Sequence, residues 1–94
     1  MKYAFLLMGD YQPGKDHAEM KEGQVRMIGV SSLDEAEEAE KELAADGVKC
    51  IELCGAFKET GARRIIQATE GKVAVGFVTH FPEQDDLFFA LFGN

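Results

Sequence analysis

The sequence is short of positive charge, with 10 lysines and arginines against 17 aspartates and glutamates and a net charge of −7. A phosphate backbone or an anionic membrane surface would be repelled by this balance. No apolar run reaches the ~20 residues that a membrane span needs, and the N-terminus lacks the layout of a signal peptide. We therefore expect a cytoplasmic protein with no nucleic-acid or membrane partner.

Cysteine and recognisable cofactor motifs are also scarce. Cys50 and Cys54 are the only cysteines; on one strand they would share a face but stand roughly 13–14 Å apart. A disulfide needs Cα atoms within about 7 Å, so free thiols in a reducing compartment are expected. There is no metal-ligand spacing, P-loop or dinucleotide fingerprint. We therefore expect neither a metal nor a cofactor.

The sequence does contain a regular alternation of apolar and polar segments, which fits a single domain over residues 1–94. Apolar runs predict four strands, at 3–8, 25–30, Val48–Leu53 and Val73–Val78. Caps and apolar stripes predict helices at Leu33–Asp46, Gly61–Thr69 and Pro82–Phe92. Residues Lys15–Glu22 fit either a short helix or a structured loop. The alternation predicts a small α/β sandwich with a four-stranded, mainly parallel sheet in the order 2-1-3-4.

Four stretches of the chain carry a family resemblance: MKYAFLLMGDY, GVSSLDEA, CIELCGAF and VAVGFVTHFPEQD. Together they resemble a family of small bacterial and archaeal proteins of unknown function. The resemblance covers nearly the whole chain and implies a small α/β fold. It brings no catalytic assignment, so candidate residues must be found from the chemistry of the side chains.

A small or polar residue follows each predicted strand, namely Asp10, Ser31, Cys54 and His80. If the strands are parallel, these residues meet at the carboxyl edge of the sheet, where open α/β sheets bind ligands. Asp10, Cys54 and His80 are expected to line one concavity, and Ser31 joins them unless the first two strands are antiparallel. Two hypotheses follow. The first is a protein that binds a small polar or anionic metabolite there and could be an enzyme with Glu52 or His80 as base. The second is a non-catalytic homo-oligomeric module whose strand-end residues only cap loops.

Glu52, Cys54 and His80 are the candidate catalytic residues. Glu52 shares a strand face with both cysteines. Burial would raise its pKa and a cation such as Arg26, Arg63 or Arg64 would lower it, which would make Glu52 a tuned general base. The alternatives are a structural ion pair or an edge strand with Glu52 in water. Cys54 and His80 would pair as thiol and imidazole if their strands are neighbours; otherwise they are a small core residue and a loop histidine.

The loop after Cys54 has glycine at both ends and precedes a helix. Backbone amides at Gly55, with the guanidinium of Arg63, would bind an anion at the helix N-terminus. The alternative is a plain loop whose glycines satisfy turn geometry.

The last predicted helix is apolar on nearly every side. Its five large apolar residues are Leu87, Phe88, Phe89, Leu91 and Phe92. One face would cover the sheet, and the rest would be exposed in a monomer. We therefore expect a homo-oligomer through this helix, unless the helix lies deep in the core.

Overall fold

The computed structural model describes residues 1–93, which form one mixed sheet and three α-helices. The strands are β1 Lys2–Met8, β2 His17–Met20, β3 Val25–Val30, β4 Val48–Leu53 and β5 Ala74–Phe77. The helices are α1 Leu33–Ala45, α2 Lys58–Ala68 and α3 Asp85–Phe92. Short 3₁₀ turns at Gly55–Phe57 and Pro82–Gln84 lead into α2 and α3.

The sheet has five strands in the order β2-β3-β1-β4-β5, so the predicted count of four was wrong. The four predicted strands correspond to β3, β1, β4 and β5 and are mutually parallel, as expected. The added strand, β2, runs antiparallel to β3 at the edge. The order 2-1-3-4 therefore holds among the predicted strands but is incomplete for the sheet.

Residues 17–20 form this edge strand rather than the helix or structured loop predicted over Lys15–Glu22. Lys21, Glu22 and Gly23 all have positive φ angles and form the tight turn that reverses the chain into β3. Backbone pairing with β3 decides the conformation, because the polar side chains carry no strong periodicity of their own. β1 and β3 nevertheless stay parallel, which keeps their carboxyl ends at one edge.

Both α1 and α2 pack on the same face of the sheet, which we call the inner face. Ala4 and Leu6 of β1 and Ile51 and Leu53 of β4 are fully buried there, in one core with residues of both helices. The side chains that alternate with these along the strands point to the opposite face, which we call the outer face. It comprises Tyr3, Phe5, Leu7, Ala18, Met20, Val25, Met27, Cys50, Glu52 and Ala74. The unbroken apolar run at 3–8 predicts a strand that is covered on both faces. This expectation was wrong, because α1 and α2 both pack on the inner face and Tyr3, Phe5 and Leu7 stay half-buried.

Local signals set the ends of α1 as predicted. The Ser32 hydroxyl accepts the backbone N–H of Glu35 at 3.1 Å, and Gly47 follows the helix with a φ of 91°. The Glu35 carboxylate binds Ser31 rather than completing a capping box on Ser32. α2 begins earlier than predicted, at Lys58, because the 3₁₀ turn runs directly into it.

α3 lies beyond the carboxyl edge of the sheet and has no buried residue. Leu87, Phe89, Leu91 and Phe92 are each 61% or more exposed. The idea that the last helix lodges in the core is therefore wrong for the described chain. None of the helices over residues 1–93 combines the length and apolarity needed to cross a membrane.

Candidate functional site

A cleft of about 920 Å³ opens at the carboxyl edge, between the ends of β1, β4 and β5 and the helix α3. Ligand pockets typically span roughly 300–1,000 Å³, so a small molecule would fit. The apolar part of the cleft comes mainly from Leu7, Met8, Phe77, Val78, Phe88 and Phe89. The polar groups that converge on it are Cys54, Lys58, Thr79, His80, Asp85 and Asp86.

His80 is held in place by two contacts from α3. Its Nε2 atom lies 2.8 Å from Oδ1 of Asp85. Its ring stacks on Phe88 with centroids 3.9 Å apart and planes 5° from parallel. Pro82 begins the turn that brings Asp85 back to His80. A histidine oriented by a carboxylate is the usual arrangement of a general base.

Cys54 lies at the end of β4, where its Sγ atom accepts the backbone N–H of Met8 at 3.2 Å. The next residue is Gly55, where an added Cβ would lie 3.4 Å from the carbonyl oxygen of Val78. Glycine thus allows β4 and the chain after β5 to approach closely at the edge of the cleft. Cys54, Gly55 and His80, three of the predicted site residues, therefore line one cleft.

Lys58 was not predicted as a site residue, yet it lines the cleft opposite α3. Its φ of 58° marks the kink between the 3₁₀ turn and α2, an unusual conformation for a residue other than glycine. No ion pair involves its ammonium group within residues 1–93. Unusual backbone conformations often occur at ligand sites, so Lys58 is a candidate binding residue.

Glu52 lies outside this cleft, in the middle of the outer face. It is half-buried, with Oε1 3.9 Å from Sγ of Cys50. Its carboxylate occupies the space over Gly76, where an added Cβ would be 2.9 Å from Oε2. Burial raises the pKa of the Cys50 thiol, and the charge of Glu52 adds to the shift. Burial, Glu52 and Cys50 likewise raise the pKa of Tyr3.

The expectation that Glu52 is largely buried and paired was wrong in its second part, because the side chain is partly buried but has no cation partner. Its three expected cations form ion pairs elsewhere: Arg26 with Asp46, Arg63 with Glu59, and Arg64 with Asp34 and Glu37. No cation pairs with Glu52 in the described part of the chain. The physical reason is the one-sided layering, since no helix lies over this face to supply a partner.

Asp10, Ser31 and Arg63 do not line the cleft. The backbone N–H and hydroxyl of Ser31 donate to Oε1 of Glu35 at 2.7 and 2.8 Å, which lowers the pKa of that carboxyl. Asp10 is exposed just after β1, and Arg63 reaches Glu59 one turn back along α2. Ser31 thus binds a side chain in the first turn of α1. The ligand-binding roles predicted for Asp10, Ser31 and Arg63 remain predictions.

A family of unknown function, DUF6506, matches residues 1–93 of the chain. The chain belongs to this family. No curated protein and no solved structure gives a significant match. The DUF6506 match spans every strand and helix described above and all residues of the cleft.

Tyr11, Lys58 and Asp85 are among the cleft residues that the sequence did not indicate. In retrospect the sequence contains a signal for Asp85, because this residue follows His80 by five positions with the turn at Pro82 between them. Tyr11 has none, because it reaches the cleft from the connection between β1 and β2. In residues 1–93, no three His, Cys, Asp or Glu side chains are grouped as metal ligands. The chemically reactive side chains that line the cleft include the imidazole of His80 and the thiol of Cys54.

Proposed function

We propose that the protein binds a small organic anion, with a carboxylate head and an apolar body, in the cleft at the carboxyl edge. The observation that carries this proposal is the composition of the cleft lining. It combines one ammonium group, that of Lys58, with phenylalanine side chains of α3 and the aliphatic ends of the strands.

The head group belongs next to the ammonium of Lys58, because no other lysine or arginine is among the residues that line the cleft. Asp85 and Asp86 lie on the α3 side, where they would repel a carboxylate and favour this orientation. His80 and Cys54 also line the cleft, so His80 is the candidate base if a reaction takes place.

Matched ligand pairs test the head group. Phenylacetate should raise the melting temperature, whereas phenylacetamide, with the same body and no charge, should do so far less. A ligand at about 100 times its Kd adds ~2.7 kcal/mol of stability. Equal shifts from the acid and the amide would contradict a charged head group, and no shift from any acid in a panel would contradict the proposal.

Matched variants test the position of the ligand. Lys58→Gln should weaken binding by about two- to fivefold, since an exposed ion pair contributes roughly 0.2–1 kcal/mol. Lys49→Gln changes an exposed lysine outside the cleft and should have no effect. His80→Gln should also weaken binding, with His17→Gln on the edge strand as its control. Equal effects of Lys58→Gln and Lys49→Gln would exclude a head group at Lys58.

A homo-oligomeric module stays the second candidate function. The exposure of α3 favours it, because Leu91 and Phe92 are each 77% exposed in the single chain. Apolar helices this exposed usually mark an interface. The two candidates are compatible, since one side of α3 lines the cleft while the rest of the helix remains open.

A further inference from the structure

The outer face of the sheet is apolar and uncovered. Tyr3, Phe5 and Leu7 of the central strand β1 are only half-buried. Toward the β2 edge, Met20 is 65% exposed and Met27 is 45% exposed. Contiguous apolar surface of this kind usually marks an interaction site.

The total exposed surface is larger than expected for a folded monomer of this size. The chain exposes 6470 Å², whereas a folded monomer of its mass is expected to expose about 5,400 Å². The excess, on the order of 1,000 Å², is similar to the ~800 Å² that each partner buries in a standard protein interface. The radius of gyration, 13.4 Å, also exceeds the ~12.4 Å expected for this length.

The charge distribution favours a second copy as the partner. The acidic helix α1 packs against the inner face, so its charges point away from the outer face. Over the outer face, the one acidic side chain on the central strands is Glu52. Asp85 and Asp86 begin α3 but line the cleft of their own chain. Two copies of a chain with a net charge of −7 therefore meet less repulsion through α3 and the outer face than through α1.

We infer that the protein is a two-fold symmetric dimer in which α3 of each copy packs on the outer face of the other. Contact between two sheets alone would leave α3 exposed, and contact between two α3 helices alone would leave the outer face exposed. The reciprocal arrangement covers both surfaces at once and closes on itself. In this arrangement the second copy also holds α3 over the cleft of the chain to which α3 belongs. The second copy therefore completes the wall of that cleft. The dimer itself does not depend on what the cleft binds.

Two substitutions separate the two halves of this interface. Phe89→Asp alters α3, and Met27→Asp alters the outer face; both side chains are exposed, so the monomer should stay folded by circular dichroism. Ile66→Asp is the matched control, because Ile66 is 42% exposed on α2, in the opposite layer. Sedimentation should give a dimer for the unaltered chain and for Ile66→Asp. It should give monomers for the other two variants, with dissociation constants raised at least about 100-fold.

Mixing the two monomeric variants tests the reciprocal geometry. The Met27→Asp copy retains an intact α3 and the Phe89→Asp copy an intact outer face, so the mixture should form heterodimers through one good contact. A chain that is monomeric at several hundred micromolar would overturn the inference. A Met27→Asp variant that remains as dimeric as the control would also overturn it, because α3 would then bind somewhere other than the outer face.

Discussion

Glu40 offers a sharp test of how α1 packs against the rest of the fold. It is 2% exposed, and its Oε1 atom has no hydrogen-bond partner in the described chain. Burial raises the pKa of this carboxyl; Lys41 opposes the shift, while Glu37 and Glu70 add to it. The folded chain therefore holds the proton more tightly than the unfolded chain. The stability from this group is complete below the ordinary pKa of 4.5 and is lost as the pH rises through the raised value.

Replacing the carboxyl with an uncharged group should stabilise the protein at neutral pH. A buried polar group without a partner costs about 1–3 kcal/mol, and each unit of pKa shift corresponds to about 1.4 kcal/mol. We expect Glu40→Gln to gain about 1 kcal/mol at pH 7 and Glu40→Met about 1–3 kcal/mol. Both residues are good helix formers, so helix propensity changes little. For a domain of this size, 1 kcal/mol corresponds to about 4–8 °C in melting temperature.

Urea unfolding between pH 5 and pH 8, at one protein concentration, measures the gain. It should grow with pH until the carboxyl of Glu40 is ionised in the folded chain and then stay constant. Glu42→Gln, an exposed position on the same helix, should show no such trend. A loss of stability in Glu40→Gln at pH 7, or a gain that is the same at every pH, would refute the reasoning.

Two further substitutions test local packing. Gly29→Ala would place a Cβ 2.6 Å from Cβ and Cγ of Tyr11 and should cost about 1–3 kcal/mol in urea unfolding, whereas Gly14→Ala, in open space, should cost little. Ser32→Ala removes the hydroxyl that accepts the N–H of Glu35 and should cost about 1 kcal/mol. An unchanged unfolding midpoint for Ser32→Ala would contradict its role as the cap.

The parts of the fold that could be predicted depend on short-range signals. The Ser32 cap and the positive φ of Gly47 bound α1 because side-chain chemistry and glycine geometry act within a few residues. The four predicted strands are apolar runs, and their parallel pairing follows from the helices between them. The fifth strand was missed because residues 17–20 are exposed and become a strand only by pairing with β3.

The site was predicted only in part, because the order of the strands brings together some of its residues and not others. Cys54, Gly55 and His80 share the cleft because they end adjacent parallel strands, which topology alone implies. Asp85 and Lys58 enter the cleft through backbone geometry, a Pro82 turn and a kink with positive φ, that composition does not reveal. The sequence did not reveal that Glu52 lies on an uncovered face of the sheet. Its apolar neighbours in sequence fit a strand that is covered on both faces as well as a strand that is covered on one.

The bare outer face follows from the direction of the chain crossovers. The connections from β3 through α1 to β4 and from β4 through α2 to β5 both move toward the β5 edge. Right-handed crossovers that move the same way place both helices on the same face. The connection from β1 to β3 moves toward the opposite edge, so a right-handed crossover there would lie over the outer face. Part of this connection instead joins the sheet as β2, while Tyr11 lies over Gly9 and Gly29. A large apolar area is therefore left open by the topology itself, and α3 is the described element with apolar side chains free to cover it.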